Sequence, residues 1–328
     1  MTHFNSSLGL RIEAFLALKR AMGRRYQAAE AEMRRFDRHV AGLGGPTDAV
    51  TRELVHNWLS AKPHVCPATQ RSRVGILRQF CRYLVRLEPR TYVPDRALFP
   101  ARLPIFKGHV YSQEELRELL RAALGLSPLR RSLHPLTVYT MLLTLYATGL
   151  RAGEVGRLRV AEVDLDARTL FVRDTKFFKS RLVPFSAGLA DQLRSYLEAR
   201  AARSSANPQA PFFINRHRRA FAAHKLSWIF HRLVATIAVA RRPGARGPRL
   251  HDVRRTFAVH RVLRWYREGA DVQAKLPLLA TYMGHGSVLS THVYLTATAE
   301  LLREASGRFE RAYGPLVAAP EEIRHEAR

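Results

Sequence analysis

The sequence predicts a mainly α fold with a small antiparallel β-sheet, split into a helical N-terminal part and a mixed α+β remainder. Three observations lead there. Apolar residues recur at helical spacing through most of the first hundred positions, a proline-rich stretch without periodicity follows, and one run of strict alternation interrupts the helical patterns of the second half. At 328 residues the chain is long enough for two domains.

The elements follow in order. "LRIEAFLALKRAMG" sets Leu10, Phe15, Leu18 and Met22 near helical spacing and stops at Gly23. A second helix carries Met33, Phe36 and Val40 and ends in the breaker "GLGGP". A third starts near Thr51 and carries Leu54, Val55, Trp58 and Leu59. The fourth, Thr69 to Leu87, gathers Ile76, Leu77, Phe80, Tyr83, Leu84 and Leu87 on one side, with Arg71, Arg78, Arg82 and Arg86 opposite. That arginine row suits a phosphate backbone, and it equally suits a plain solvated face.

Residues 88–111 hold four prolines and little periodicity, so they read as a connection. "SQEEL" then places Ser112 three residues before Glu115, the pattern of a capping box that opens a helix. The boundaries expected are 1–90 for the helical domain, 91–110 for the linker and 111–328 for the second domain. Within the latter, "EVDLDARTLFVRDTKFFKSRLVPF" alternates and contains two turns, giving strands over Val163–Leu165, Thr169–Arg173 and Arg181–Phe185. Helical patterns resume with "AGLADQLRSYLEARAA".

Composition narrows the function. Lys plus Arg is 54 against 27 Asp plus Glu, a formal net charge of +27, with a pI near 11.2. Such an excess implies a polyanionic partner, and nucleic acid is the usual one. A membrane surface would require a basic amphipathic helix with an exposed apolar face, or a lipid anchor, and neither is read here. No apolar run is long enough to span a bilayer and the N-terminus is unlike a signal peptide. The two cysteines, Cys66 and Cys81, fit a reducing cytoplasm. No phosphate-binding Gly-Lys loop is present, and the 14 histidines are not interleaved with carboxylates at ligand spacing, so neither a cofactor nor a metal is expected.

What remains is a scattered basic set and one tyrosine. "TGLRAGE" places Arg151 after the terminator Gly149, with Glu154 in reach to orient its guanidinium. "LHDVRRTF" makes His251 and Arg254 neighbours at i and i+3, at the edge of an apolar face formed by Leu250, Val253 and Phe257. Lys176 lies in the turn "DTKFFKS" between two strands, with Lys179 as the alternative. "YMGHGSVLSTHVYL" separates His285 and Tyr294 by nine residues. Singly, each has an ordinary reading as a solvated or core side chain.

As an ordered series these motifs closely resemble the tyrosine recombinase (phage integrase) family, over nearly the whole chain. The resemblance implies an N-terminal helical core-binding domain and a catalytic domain of the tyrosine recombinase type, clamped around double-stranded DNA. It implies Tyr294 as nucleophile, His251 as general base or relay, Arg151 and Arg254 as phosphate ligands, Lys176 as general acid and His285 as a further phosphate contact. It further implies site-specific recombination through a 3′-phosphotyrosyl link, in a homo-tetramer on synapsed DNA, with or without other recombinases. A type IB topoisomerase and a non-catalytic DNA-binding accessory protein are the alternatives. Two departures stand out. Arg255 occupies a position where many relatives have histidine, and the segment Gly269 to Gly284 is longer than in compact members, which suggests a specialised subgroup working inside a mobile element. The C-terminal run Leu301, Leu302, Ala305 and Phe309 is expected to be a helix packed on its own domain or on a neighbouring subunit.

Overall fold

The structure, a computed structural model, describes residues 4–23, 26–61, 65–95, 97–100, 108–127, 133–173, 180–204, 207–237, 239, 247–285, 301, 303–304 and 306–311. These residues form two compact units, one running to residue 100 and one starting at residue 108.

The first unit contains helices α1 (Gly9–Ala21), α2 (Gln27–Gly42), α3 (Arg52–Ser60) and α4 (Pro67–Leu84). Thr51 opens α3, its hydroxyl accepting from the Leu54 N–H at 3.2 Å. The core is aromatic: Phe15 meets Phe80 edge-on at 5.6 Å and Phe36 meets Trp58 at 5.4 Å. In α2 and α3 the expected apolar positions are the buried ones. In α1 the spacing is right for Phe15 and wrong for Leu10, Leu18 and Met22. Ile12, Phe15 and Leu16 face the core, whereas Leu10 is 81% exposed and Leu18 and Met22 lie outside. The chain before α1 decides this, because the buried Asp37 carboxylate accepts from the Asn5 and Ser6 N–H groups and the Ser6 hydroxyl, fixing the angle at which α1 enters. In α4, Arg82 and Arg86 are exposed as expected, but Arg71 donates to the Pro100 carbonyl. Arg73 turns inward, pairing with Glu32 at 2.8 Å and lying over the Trp58 ring. Tyr92, Val93, Leu98 and Phe99 also pack on this core.

The second unit starts with α5 (Gln113–Leu124), whose capping box joins Ser112 and Glu115 in both directions. Helix α6 (His134–Thr148) follows, then the short α7 (Ala152–Val155). Three threonines of α6 bond back to the carbonyl four residues earlier, so their buried hydroxyls are satisfied. Strands β1 (Val163–Asp164), β2 (Thr169–Val172) and β3 (Arg181–Pro184) form an antiparallel sheet in the order β1-β2-β3, each lying inside its expected span. Helices α8 (Ala187–Ala201), α9 (Ala223–Thr236), α10 (Leu250–Arg267) and α11 (Val272–Met283) complete the unit. The described residues between 301 and 311 are helical, and Leu301 packs with the α10–α11 cluster. The mainly α fold with a small antiparallel sheet is thus observed. No helix among the described residues is long and apolar enough to cross a membrane.

Candidate active site

Three helix ends converge. The first is the C-terminus of α6, where Gly149 adopts φ 62°. That left-handed residue stops the helix and turns the chain so that Arg151 caps α7. The Arg151 guanidinium donates to Glu154 Oε1 at 2.9 Å, and its backbone N–H donates to Oε2 at 3.0 Å, so Glu154 orients this arginine as the i, i+3 spacing predicts.

The second is the start of α10. Leu250, Val253 and Phe257 are buried, as their spacing predicts, and they fix which way the polar faces of the helix turn. Arg254 lies deeper than the edge position expected, at 2% exposure. Its guanidinium donates to the Gly149 carbonyl at 2.5 Å and the Met283 carbonyl at 2.8 Å. A buried charge is tolerable here because it meets backbone dipoles in a planar fork. His251 stands one turn earlier, at a small cavity of about 180 Å³ that Leu145, Leu150, Ser227 and Arg254 also line.

The third is the C-terminus of α11. Gly284, at φ 69°, ends this helix and brings the His285 N–H back to the Ala280 carbonyl at 2.9 Å. The Gly284 carbonyl accepts from Arg151 Nη2 at 3.2 Å, and His285 Nε2 meets Arg254 Nη2 at 2.7 Å. Since a guanidinium only donates, Nε2 is the acceptor and the ring proton of neutral His285 belongs on Nδ1.

Arg151, His251, Arg254 and His285 are therefore gathered around the ends of α6, α10 and α11. Lys176, the alternative Lys179, and Tyr294 lie outside the described residues. Two groups that the motifs did not single out belong to the same site. Arg181 on β3 pairs with Glu154 Oε2 at 3.0 Å and donates from Nε to the Tyr282 carbonyl at 3.0 Å. Tyr282 stacks on Phe257 at 5.7 Å and donates its hydroxyl to the Pro184 carbonyl. Strand alternation was the available signal for Arg181, which shares the inner face of β3 with the buried Val183.

Electrostatics follows from two guanidinium groups, Arg151 and Arg181, around one carboxylate, with Arg254 beside the two histidines. Burial opposes ionisation of Glu154, but the Arg181 hydrogen bond, the Arg151 N–H and both positive charges together hold its pKa below the ordinary value. Burial, then the charges of Arg254, Arg151 and their neighbours, push His285 down to about 4. One side of His251 faces solvent, yet crowding on the other side and the Arg254 charge lower its pKa against the opposing pull of Asp252. Burial pushes the Tyr282 phenol up to about 12. Both imidazoles are consequently neutral at pH 7, with the one ring lone pair of His285 engaged by Arg254, and the site as a whole attracts an anion.

A pH dependence follows with a defined sign. The folded-state values of both histidines lie below the unfolded value near 6.5, so the unfolded chain binds more protons as pH falls. Stability is fully present above about pH 6.5 and is lost toward pH 4, by at most about 3 kcal/mol from His285. Thermal melts across this window will show Tm falling with pH, and substituting His285 with Asn will flatten the slope. A Tm that holds level from pH 7 to pH 4.5 contradicts the depressed histidines.

Residues 110–300 match the phage integrase family. The chain is 34% identical to "Putative integrase/recombinase y4rB" of Sinorhizobium fredii over 306 residues, covering 92% of this chain and 96% of the relative. It is 31% identical to the tyrosine recombinase XerA of Thermococcus kodakarensis, over 63% of this chain and 65% of that protein. Among solved structures, the fold is similar to that of lambda integrase in a tetramer bound to a Holliday junction, with a TM-score of 0.61 at 13% identity, covering 88% of this chain and 78% of that one. The Tn1549 transposon integrase in complex with transposon right-end DNA gives 0.60 at 16% identity, covering 91% and 99%. With its helix ends, its three-stranded sheet and its ordered Arg, His-x-x-Arg and Gly-His motifs, the chain belongs to the phage integrase family of tyrosine recombinases.

Proposed function

We propose that the protein is a site-specific recombinase that cuts and rejoins double-stranded DNA through a 3′-phosphotyrosyl intermediate, in the service of a mobile element. The observation that carries this reading is the convergence of Arg151, Arg254, His251 and His285, two guanidinium groups and two neutral imidazoles, in one net-positive site. In this reading residues 1–90 form the core-binding domain, 91–110 the linker and 111–328 the catalytic domain, and four copies act on synapsed DNA. Kinship with proteins named integrase and recombinase supports the mobile-element role.

The Tyr294 oxygen attacks the scissile phosphorus as its proton passes to His251. A phenol titrates near pH 10, so it needs such a base at neutral pH. Arg151, Arg254 and His285 hold the non-bridging oxygens and stabilise the added charge of the pentacoordinate transition state. The bond from phosphorus to the 5′-oxygen breaks, and Lys176 protonates that oxygen as it leaves. The reverse sequence, with a 5′-hydroxyl from another strand, rejoins the DNA, so the bond energy is conserved throughout. Tyr282 is poorly placed to substitute as nucleophile, because its hydroxyl is engaged with the Pro184 carbonyl and its phenolate is disfavoured.

The test uses nicked duplexes that tile the ends of the DNA segment encoding the protein. The nick lets the cleaved 5′ fragment diffuse away and traps the covalent species. The natural chain will form an adduct that survives denaturing electrophoresis, and Tyr294→Phe will form none while retaining DNA affinity. Equal adduct formation by Tyr294→Phe removes Tyr294 from the mechanism. Binding by both without an adduct favours a non-catalytic role.

A further inference from the structure

Strand alternation places Arg181 on the inner face of β3 beside the fully buried Val183. A charge on that face must be paired, because an unpaired buried charge is costly. Arg181 is bound on two sides. Its Nη2 and Nη1 approach the Glu154 oxygens at 3.0 and 3.4 Å, and its Nε donates to the Tyr282 carbonyl at 3.0 Å. The plane of the guanidinium lies against Gly284, where a Cβ would come within 2.7 Å of Nη1. One side chain thus holds both the carboxylate that orients Arg151 and the last turn of α11. That turn supplies the Met283 carbonyl to Arg254, the Gly284 carbonyl to Arg151, and His285.

We infer that Arg181 is a positioning residue for strand cleavage, fixing Arg151 through Glu154 and His285 through the end of α11. This rests on the proposed roles of Arg151 and His285 at the scissile phosphate. With only 14% of its side chain exposed and its nitrogens committed to protein partners, Arg181 is placed to aim other groups and not to grip DNA itself. The fork geometry is essential to the role. A lysine keeps the charge, but its single ammonium has no rigid fork with which to bond a carboxylate and a carbonyl on different elements. Without the guanidinium, Glu154 loses one of its two cations and the end of α11 loses its tie to β3. A displacement of about 1 Å in a phosphate-holding group costs roughly a hundredfold in rate.

The test measures adduct formation on two versions of one nicked duplex, with either an ordinary phosphodiester or a methylphosphonate at the scissile position. The methylphosphonate replaces a non-bridging oxygen with a methyl group and removes the charge that Arg151 would balance. On ordinary DNA, Arg181→Met is expected to be about 100-fold slower than the natural chain, with Arg181→Lys intermediate. On the methylphosphonate both variants recover most of the deficit, as Arg151→Ala does. Recovery by Arg151→Ala with no recovery by Arg181→Met overturns the positioning role and leaves the functional reading standing. Failure of Arg151→Ala to recover, or the absence of any adduct with the natural chain, overturns the phosphate-ligand reading and this inference together. Thermal melts accompany each variant. If Arg181→Met does not fold, Arg181→Lys makes the same comparison, and a natural rate for that variant on ordinary DNA refutes the proposal.

Discussion

Arg254→Met will lose strand cleavage by at least about a thousandfold, while its melting temperature falls only moderately. Two effects act on this substitution, and their magnitudes decide which dominates. Stability first loses the bonds to the Gly149 and Met283 carbonyls, each buried acceptor left unpaired costing roughly 1–3 kcal/mol. Part of that loss is offset, because the folded state no longer desolvates a charge, and the methionine fills much of the space of the arginine stem. Catalysis has no such offset. A fixed guanidinium facing a transferring phosphoryl group is worth about 10³–10⁵ in rate, or roughly 4 kcal/mol and more. Arg254→Lys keeps the charge but cannot span Gly149, Met283 and His285 from one nitrogen, so it will recover little of the rate. His285 supplies an independent readout. Arg254 is the strongest charge depressing its pKa, so in the Met variant the His285 ring will titrate above its natural value of about 4. Single-turnover adduct formation and histidine NMR titration measure the two effects separately. A Met variant that cleaves within tenfold of the natural rate removes Arg254 from the phosphate.

How much of this site could be read in the sequence depended on how local each determinant is. Gly149, Arg151 and Glu154 lie within six positions of one another, and a helix stop followed by a capping carboxylate is a local event, so their geometry was legible. The strands were legible for the same reason, since alternation shows in a handful of residues. Arg181 was not. Alternation puts it on the inner face of β3, but in a chain with 54 Lys and Arg nothing in the sequence says what it meets there. Its partner at Tyr282 comes from a helix 101 positions along the chain. The depth of Arg254 was misjudged in the same way, because helical spacing gives its face but not the carbonyls that α6 and α11 bring to it. In α1 both sides of the helix carry large apolar residues, so spacing alone offered two stripes, and the Asp37 contacts that choose between them are again distant in sequence.

Gly149→Ala should be the most damaging single methyl group that can be added to this site. Two terms add at this position. The residue holds φ 62°, where a Cβ costs about 1–2 kcal/mol. The added carbon would also fall inside the contact radius of the Phe257 ring, and overpacking a buried site costs a further 1–3 kcal/mol, roughly. Phe257 is ill placed to yield, for it is buried in the α10–α11 cluster and stacked on Tyr282. A loss of roughly 2–5 kcal/mol is expected from the two together. Gly269 supplies the control that separates the terms. It holds φ 72° with nothing within 4 Å of where a Cβ would stand, so Gly269→Ala carries the backbone strain alone. Denaturant unfolding of the two variants will therefore place Gly149→Ala below Gly269→Ala by the overpacking term. Cleavage should diverge further than stability does. The Gly149 carbonyl is a ligand of Arg254, and a shifted Phe257 disturbs the same helix one turn on, whereas Gly269 lies beyond the far end of α10. Equal losses in the two variants would show that the Phe257 ring moves aside at little cost, and that the turn after α6 constrains the site through its backbone angles alone.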